Sequence, residues 1–166
     1  QSGVLQQMPK QYRVLAGQPM ILHTLAAFAA VRQLQGVMVV VAQDDGIVDE
    51  LLETSKRTFA TVMIANKAGN TRADTVFNGL KALRTQGAQL NDWVLVHDAA
   101  RCLITPEQIK TLIAACQEDE VGGLLALPLP DTLKHEESGR VAQTLDRSDK
   151  WLAQTPQMFR LGALID

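Results

Sequence analysis

A run of apolar residues that ends at a charged pair places the strongest constraint on this chain. Residues 93–96 (WVLV) form the run, Asp98 follows it by two positions, and Arg101 stands three positions further on. A strand without polar residues is typical of a parallel sheet that helices cover on both faces. In open α/β sheets the ligand binds outside the carboxyl ends of such strands. We therefore expect Asp98 and Arg101 at a ligand crevice, where a metal-bound phosphate group would be handled.

Predicted strands and helices alternate between residues 19 and 127. The helices show apolar residues at three- and four-residue spacings, and continuous apolar runs mark the strands. Pro19 opens one helix in its first turn, Asn70 or Thr71 caps another, and Thr105 with Pro106 begins a third. The alternation predicts the α/β class, with a Rossmann-like, open, mostly parallel sheet and helices on both faces. The predicted helices are 19–31, 44–57, 71–83 and 105–116, and the predicted strands are 37–42, 62–65, 93–97 and 122–127.

The alternation stops at Pro128. From Pro128 to Gln154 the chain offers two short segments, 131–134 and 141–145, on either side of a polar turn at 136–139. This pattern predicts a protruding β-hairpin arm with a charged tip. Because an isolated two-stranded arm is marginal in water, we expect it to rest on another surface. The chain is thus predicted to be one domain over residues 1–166, with an arm subdomain at 128–154.

The overall composition fits one globular domain and argues against several functions. The 166 residues are 46% hydrophobic and carry a formal net charge of −2, which suits a packed core. No run approaches the roughly 18 apolar residues of a membrane span. The nearly neutral charge argues against a nucleic acid polymer as partner, whereas a small anionic ligand needs only local cations. Two cysteines are too few for a disulfide framework, so we expect a cytoplasmic protein.

Six short clusters carry a family resemblance. In order along the chain they are 9–12 (PKQY), 69–75 (GNTRADT), 97–101 (HDAAR), 130–134 (PDTLK), 144–147 (TLDR) and 154–157 (QTPQ). Together, and with this spacing across essentially the whole chain, they resemble the 2-C-methyl-D-erythritol 4-phosphate cytidylyltransferase family of the non-mevalonate isoprenoid pathway. No single cluster is specific, but the ordered set is.

The resemblance implies a cytidylyl transfer. In this family CTP and 2-C-methyl-D-erythritol 4-phosphate give the CDP-alcohol and pyrophosphate, and the acceptor phosphate attacks the α-phosphorus of CTP with Mg²⁺ on the triphosphate. Such a step needs positioning and fixed positive charge rather than a covalent nucleophile. By resemblance Lys10 contacts the CTP phosphates and is a catalytic residue. The alternative for Lys10 is an ordinary solvated side chain.

The resemblance also assigns a set of loop residues to the nucleotide. Gly69, Asn70 and Thr75 are expected to read the cytosine, although Asn70 is alternatively only a helix cap. Position 68 is alanine and position 75 is threonine, where the family more often has glycine and serine, but a hydroxyl is retained. Arg72 either supports this loop or pairs with Asp74. The remaining residues assigned to the nucleotide are Asp98, which is also the expected Mg²⁺ contact, and Ala99.

The acceptor is assigned to residues from two subunits. Arg101 is expected to face the methylerythritol phosphate. Thr132 and Arg147, on the two sides of the arm, are expected to reach the acceptor bound by a partner subunit, where an arginine fork suits a phosphate through paired hydrogen bonds. Arg147 thereby joins Lys10 in the catalytic set. The resemblance thus implies a homodimer held through the arm.

Two parts of the family pattern are expected outside this sequence. The glycine-rich phosphate loop and its arginine are expected directly before Gln1, with residues 1–3 as its trailing edge, and a later lysine is expected beyond Asp166. The first residue is not Met, and residues 160–166 resemble the start of a helix. We therefore expect a nucleotidyltransferase domain that is incomplete at both ends.

Other functions compete with this interpretation. One is a cytidylyltransferase for a different alcohol phosphate, such as ribitol 5-phosphate, and another is a non-catalytic nucleotide-binding domain on the same scaffold. A Rossmann dehydrogenase ranks below both, because no G-x-G-x-x-G motif stands between a strand and a helix. His97 is expected to be structural and to need one hydrogen-bond partner. Cys102 is expected to be a packing variant where the family often has proline.

Overall fold

The computed structural model describes residues 8–54, 59 and 61–166, in which helices and strands alternate. The helices are α1 (Met20–Ala29), α2 (Ile47–Thr54), α3 (Arg72–Thr85), α4 (Pro106–Cys116) and α5 (Leu161–Ile165). The strands are β1 (Val14–Leu15), β2 (Gln18–Pro19), β3 (Val37–Val41), β4 (Val62–Asn66), β5 (Trp93–Val96), β6 (Gly122–Pro128), β7 (Leu133–Glu137), β8 (Arg140–Leu145) and β9 (Trp151–Arg160). In this described part, no helix has both the length and the apolar character needed to cross a bilayer.

The strands pair in both directions. Strands β3 and β4 are parallel, in a register that runs from Val37 opposite Val62 to Val41 opposite Asn66. Strand β9 lies between β5 and β6 and is antiparallel to both, so β5 and β6 point the same way. The α/β class is confirmed, and β9 adds an antiparallel strand that the alternation of helices and strands did not predict.

Helix α1 contributes to two hydrophobic clusters. In the first, Phe28 of α1 lies with Ile109 and Leu112 of α4 and with Met158 of β9. The second cluster contains Ile21 and Leu25 of α1 together with buried side chains from the segments before and after this helix, namely Tyr12, Val39, Val41, Val48 and Phe59. Burying one aliphatic or aromatic side chain of this size contributes about 1.5–3 kcal/mol to stability. The two clusters therefore fix α1 against the strands that carry the candidate site.

Two predicted helix starts are confirmed. The Thr71 hydroxyl accepts the N–H of Asp74, and the Asp74 carboxylate accepts the N–H of Thr71, which forms a capping box on α3. Thr71 rather than Asn70 is thus the cap. Thr105 forms the same arrangement on α4, with Pro106 in the first turn. These caps satisfy backbone N–H groups that lack a partner within the helix.

Two other helices begin later than predicted. Helix α1 starts at Met20, with Pro19 in the capping position rather than inside the first turn. Helix α2 starts at Ile47 instead of residue 44, because Oδ1 of Asp45 accepts the N–H groups of Ile47 and Val48 at 3.0 and 3.4 Å. Residues 55–57 of the predicted helix lie outside the described residues.

The predicted β-hairpin arm is present. Strands β7 and β8 are antiparallel, with Leu133 opposite Leu145 at the base and Glu137 opposite Arg140 at the tip. Ser138 and Gly139 form the turn with φ angles of 50° and 76°, the combination that matches the twist of a two-residue hairpin. Nearly all arm residues are exposed. The arm therefore has no hydrophobic core of its own.

Candidate active site

The carboxylate of Asp98 is held between two arginines at the carboxyl end of β5. Its Oδ1 accepts a hydrogen bond from Nε of Arg72 at 2.8 Å, and its Oδ2 accepts one from Nε of Arg101 at 2.9 Å. The Asp98 side chain is 32% exposed, so the cluster is open to a ligand. Arg72 stands at the first position of α3. The structure thus joins three predicted site residues, and the alternative pairing of Arg72 with Asp74 is wrong because Asp74 caps α3.

A residue of β9 fixes the far end of Arg101. Nη1 of Arg101 donates to Oε1 of Gln154 at 2.5 Å. With Nε on Asp98 and Nη1 on Gln154, the guanidinium has two fixed contacts and still presents other N–H groups. The sequence analysis did not assign Gln154 to the site, although it lies in the sixth cluster of the family pattern. Its position in that cluster was the available signal.

Buried polar contacts hold the loop that carries Asp98 and Arg101. The hydroxyl of Thr24 in α1 donates to the carbonyl oxygen of Ala99 at 2.8 Å. His97 has two partners instead of the one expected, since Nδ1 lies 2.9 Å from Oγ1 of Thr155 and Nε2 lies 3.1 Å from the carbonyl oxygen of Arg101. Burial lowers the pKa of His97 below its ordinary value, which favours the neutral ring.

The loop before α3 is braced from within. The N–H of Gly69 donates to Oγ1 of Thr75 at 3.0 Å, and the Thr75 hydroxyl donates to the carbonyl oxygen of Thr71 at 2.9 Å. A Cβ on Gly69 would lie 2.2 Å from Cβ of Asp74, so only glycine fits this approach to the helix. Asn70 is exposed beside them. The three predicted cytosine-reading residues are therefore adjacent, and their assignment to the base stays a prediction.

Lys10 lies in a 3₁₀ turn that ends at the buried Tyr12. The Lys10 side chain is exposed. Tyr12 belongs to the second hydrophobic cluster, against which Ala99 of the β5 loop also packs. The Lys10 turn and the loop of Asp98 thus both contact this cluster, and the approach of Lys10 to a common ligand stays a prediction. Residues 1–3, expected to be the edge of a phosphate loop, lie outside the described residues.

Thr132 and Arg147 occupy the base of the arm. Thr132 directly precedes β7, Arg147 follows β8 by two positions, and both side chains are exposed. Because Leu133 pairs with Leu145, the two residues leave the same end of the hairpin. They are on the two sides of the arm as predicted, whereas their role toward a partner subunit stays a prediction.

The carboxylate of Asp98 can contact Mg²⁺ either through a bridging water or directly through one of its oxygens. Within residues 8–54, 59 and 61–166, no group of three or more His, Cys, Asp and Glu side chains is arranged to hold a metal ion. Each oxygen of Asp98 accepts one hydrogen bond and retains a further lone pair. Mg²⁺ characteristically keeps several waters and takes other ligands from substrate phosphates. The donor set therefore suits a metal that arrives with a triphosphate.

Comparisons with known proteins identify the family of this chain. The family profile described as 2-C-methyl-D-erythritol 4-phosphate cytidylyltransferase (IspD) matches residues 3–166. A protein of Albidiferax ferrireducens named bifunctional enzyme IspD/IspF is 63% identical over 158 residues, which are 95% of this chain and 37% of that protein. A 2-C-methyl-D-erythritol 4-phosphate cytidylyltransferase of Laribacter hongkongensis is 51% identical over 94% of this chain and 66% of its own length. The chain thus spans about a third of the first relative and just under two thirds of the second.

Solved structures share the fold. The crystal structure titled 4-diphosphocytidyl-2C-methyl-D-erythritol synthase superposes with a TM-score of 0.85 at 40% identity, over 95% of this chain and 73% of that one. The Francisella tularensis 2-C-methyl-D-erythritol 4-phosphate cytidylyltransferase gives a TM-score of 0.77 at 29% identity, over 95% of this chain and 69% of that one. The Rossmann-like α/β fold predicted from the sequence is confirmed. By sequence and by fold, this chain belongs to the 2-C-methyl-D-erythritol 4-phosphate cytidylyltransferase family.

Proposed function

We propose that the protein transfers CMP from CTP to 2-C-methyl-D-erythritol 4-phosphate and releases pyrophosphate. The observation that carries this proposal is the Arg72–Asp98–Arg101 cluster at the end of β5, in a chain of this family. Two guanidiniums beside one carboxylate suit a site where phosphate groups and a metal ion meet. The exposed start of α3 adds the partial positive charge of a helix N-terminus.

The reaction is a displacement at phosphorus. An oxygen of the acceptor phosphate forms a bond to the α-phosphorus of CTP, the bond from that phosphorus to the bridging oxygen breaks, and pyrophosphate leaves with its electron pair. The protein lowers the barrier by alignment and by fixed positive charge. Lys10 offers an ammonium to the triphosphate, and Arg101 offers its free N–H groups to the acceptor phosphate. A bound Mg²⁺ would neutralise phosphate charge, with Asp98 as its protein contact.

We assign the cytosine to the loop before α3. Gly69 and Asn70 lie in this loop, and Thr75 in the first turns of α3 accepts the N–H of Gly69. Ala99 lies on the loop that follows β5. Backbone and side-chain amides in such a loop match the hydrogen-bonding edge of a base. Arg72, which follows this loop, donates a hydrogen bond to Asp98. Arg72 therefore connects the proposed base-binding residues to the proposed phosphate site.

A homodimer is part of the proposal. An open groove of about 530 Å³ lies beside Arg101, and its lining includes Leu103, Leu125 and Leu127. Leu103 is 83% exposed and Trp151, at the base of the arm, is 61% exposed. Both the groove beside the site and the base of the arm expose apolar surface. A second copy of the chain that inserts the base of its arm into this groove would cover both surfaces. Thr132 and Arg147 of that copy would then approach the acceptor.

A cytoplasmic location also belongs to the proposal. Both cysteines carry free thiols, with Cys116 buried under the sheet and Cys102 partly buried next to the site. Reduced thiols are the state that the cytoplasm maintains. Cys102 lines the groove beside Arg101, which agrees with a packing role.

Pyrophosphate release by the full-length protein tests the function. With CTP and Mg²⁺, we expect turnover with 2-C-methyl-D-erythritol 4-phosphate and none above background with ribitol 5-phosphate. Lys10→Ala should lower turnover by roughly a hundredfold or more, because one transition-state contact is lost. Lys110→Ala, on the exposed face of α4, is the matched control and should match the wild type. CTP binding without turnover would instead support a non-catalytic domain, and a loss below tenfold would remove Lys10 from the catalytic set.

A further inference from the structure

His97 lies at the centre of a chain of hydrogen bonds. The chain begins at Asp98 and ends at Arg101, on the loop that follows β5. The N–H of Asp98 donates to Oγ1 of Thr155 at 3.4 Å, and that Oγ1 lies 2.9 Å from Nδ1 of His97. On the other side of the ring, Nε2 lies 3.1 Å from the carbonyl oxygen of Arg101. The N–H of Arg101 in turn donates to the carbonyl oxygen of Asp98 at 2.9 Å. The ring therefore bridges β9 and the 98–101 turn.

The chemistry of the partners fixes the direction of every bond. A carbonyl oxygen only accepts, so Nε2 of His97 carries the proton that it shares with Arg101. In a neutral ring Nδ1 is then an acceptor, and the Thr155 hydroxyl donates to it. The oxygen of Thr155 remains available to accept the N–H of Asp98. One neutral tautomer thus satisfies the whole chain.

Packing prevents the ring from leaving this position. Its ring centroid lies 5.1 Å from that of Phe28 in α1, at an interplanar angle of 51°. Thr155 is only 7% exposed. The carbonyl of Ala99, between Asp98 and Arg101, is separately held by Thr24. The carbonyl group of Arg101, at the end of this turn, is accordingly held by the hydrogen bond from His97.

We propose that His97 is a positioning residue that aims the Arg101 guanidinium at the acceptor phosphate. This inference rests on the proposed function, which supplies the acceptor. The guanidinium contacts Asp98 and Gln154 at its two ends, so a small rotation of the Arg101 backbone would shift one contact against the other. The loop before α3 has its own internal braces. Loss of the His97 contact to the Arg101 carbonyl should therefore affect the acceptor more than the binding of the cytosine.

Two substitutions separate the two sides of the ring. His97→Gln places an amide N–H where Nε2 stood and keeps the contact to the Arg101 carbonyl. His97→Asn places its amide on the Nδ1 side, toward Thr155, and cannot reach that carbonyl. In the full-length protein, His97→Asn should lower kcat/KM for the acceptor roughly tenfold to a hundredfold, as a misplacement of about 1 Å does. His97→Gln should stay within about fivefold of the wild type, the effect of one lost neutral hydrogen bond.

In His97→Asn, which keeps the Thr155 side of the ring that supports Asp98, the KM for CTP should change less than the KM for the acceptor. Equal kcat/KM values for the two variants, or a parallel rise in the KM for CTP, would overturn the inference and leave a purely structural role. Heteronuclear NMR of the imidazole nitrogens gives a readout that needs no turnover, and we expect the proton on Nε2. A proton on Nδ1 would also overturn it. A wild-type protein that releases no pyrophosphate would instead contradict the proposed function, while the NMR result still decides the tautomer.

Discussion

At the scale of single residues, the one tyrosine of the chain connects three segments through one carboxylate. Tyr12 is 3% exposed, and its hydroxyl donates to Oδ2 of Asp45 at 2.6 Å. The other oxygen of Asp45 accepts the first N–H groups of α2. The turn that carries Lys10 is thereby tied to the end of β3 and the start of α2. Burial, and then the neighbouring carboxylate, raise the pKa of Tyr12 above its ordinary value of 10.0.

Replacing Tyr12 by phenylalanine should therefore have a pH-dependent effect. At neutral pH, Tyr12→Phe should lower the free energy of unfolding by about 2 kcal/mol, because a buried hydrogen bond to a charged group is lost. Above pH 10.0 the unfolded wild type loses its phenolic proton, whereas the folded protein retains it. With rising pH the wild type then loses stability relative to the variant, which lacks the phenol. Urea unfolding on both sides of this pH measures the shrinking difference.

A difference in the free energy of unfolding that stays constant between the two proteins across this pH range would contradict the prediction. It would mean that the phenol titrates alike in the folded and unfolded states. Tyrosinate absorbance, recorded as wild type minus Tyr12→Phe, provides an independent check. Its midpoint in the folded protein should lie above the ordinary value.

Asp98 shows what the sequence reveals about a single side chain and what it does not. The position of Asp98 after an apolar strand predicted a place at the sheet edge, and Arg101 three residues later predicted its neighbour. Arg72 is 26 positions away from Asp98, and the sequence offered the nearer Asp74 as its partner. Asp74 was already engaged in the capping box. Contacts between distant loops depend on the fold and cannot be obtained from spacing alone.

At the scale of secondary structure, β9 is the main element that the sequence analysis missed. It contains Pro156 between polar residues, and a proline inside a segment argues against a central strand there. The structure resolves this conflict by an irregularity in the β6–β9 ladder, between Leu124 and Ala126. Opposite it, Gln154, Thr155 and Pro156 interrupt the ladder, which continues from Gln157 on one side to Ala153 on the other. The same interruption turns Gln154 and Thr155 toward the β5 loop, where they contact Arg101 and His97.

Gly122 allows β6 to begin against β9. Its φ is +117°, and an added Cβ would lie 2.2 Å from the carbonyl oxygen of Met158. Gly122→Ala should therefore lower the free energy of unfolding by about 3 kcal/mol, from backbone strain together with displacement of the strand. Chemical denaturation at neutral pH measures this loss.

Gly139→Ala is the matched control for this prediction. Gly139 also has a positive φ, +76°, but a Cβ there would meet nothing within 4 Å. This variant should lose only about 1 kcal/mol, the cost of the left-handed backbone. Equal losses in the two variants would show that the close approach to Met158 has no influence on stability.

At the scale of the whole molecule, the sequence predicted the arm but not the surface on which we propose that the arm rests. A mostly polar hairpin with a Ser-Gly turn and few apolar residues is recognisable in the sequence as a projection. The six clusters, in order, also predicted the family and its fold, although only some of them lie on loops and the others overlap β7, β8 and β9. The groove in which we propose that a partner's arm rests is made of residues far apart in sequence, such as Leu103 and Leu127 beside Arg101. Only the assembled structure brings them together.

The proposed exchange of arms predicts that two inactive proteins become active when mixed. In a homodimer, Arg101→Ala removes the acceptor arginine from both sites, and Arg147→Ala removes the arm arginine from both. In a mixed dimer, the Arg147→Ala subunit keeps its own Arg101 and receives an intact arm from its partner, so one site is complete. After random exchange of subunits, about a quarter of wild-type turnover should return, because half of the dimers are mixed and each has one complete site.

Mixing Arg101→Ala with Lys10→Ala is the matched control for the subunit exchange. Both residues belong to the body of one subunit, so every site in the mixed dimer lacks one of them and no turnover should return. Exchange itself is followed with differently tagged subunits, by capture of mixed dimers. If mixed Arg101→Ala and Arg147→Ala dimers form without recovering turnover, each arm serves its own chain and the partner-subunit role of Arg147 is wrong. If turnover returns only when Arg101→Ala is mixed with Arg147→Ala, one subunit must supply Arg101 and the other must supply Arg147 to the same acceptor.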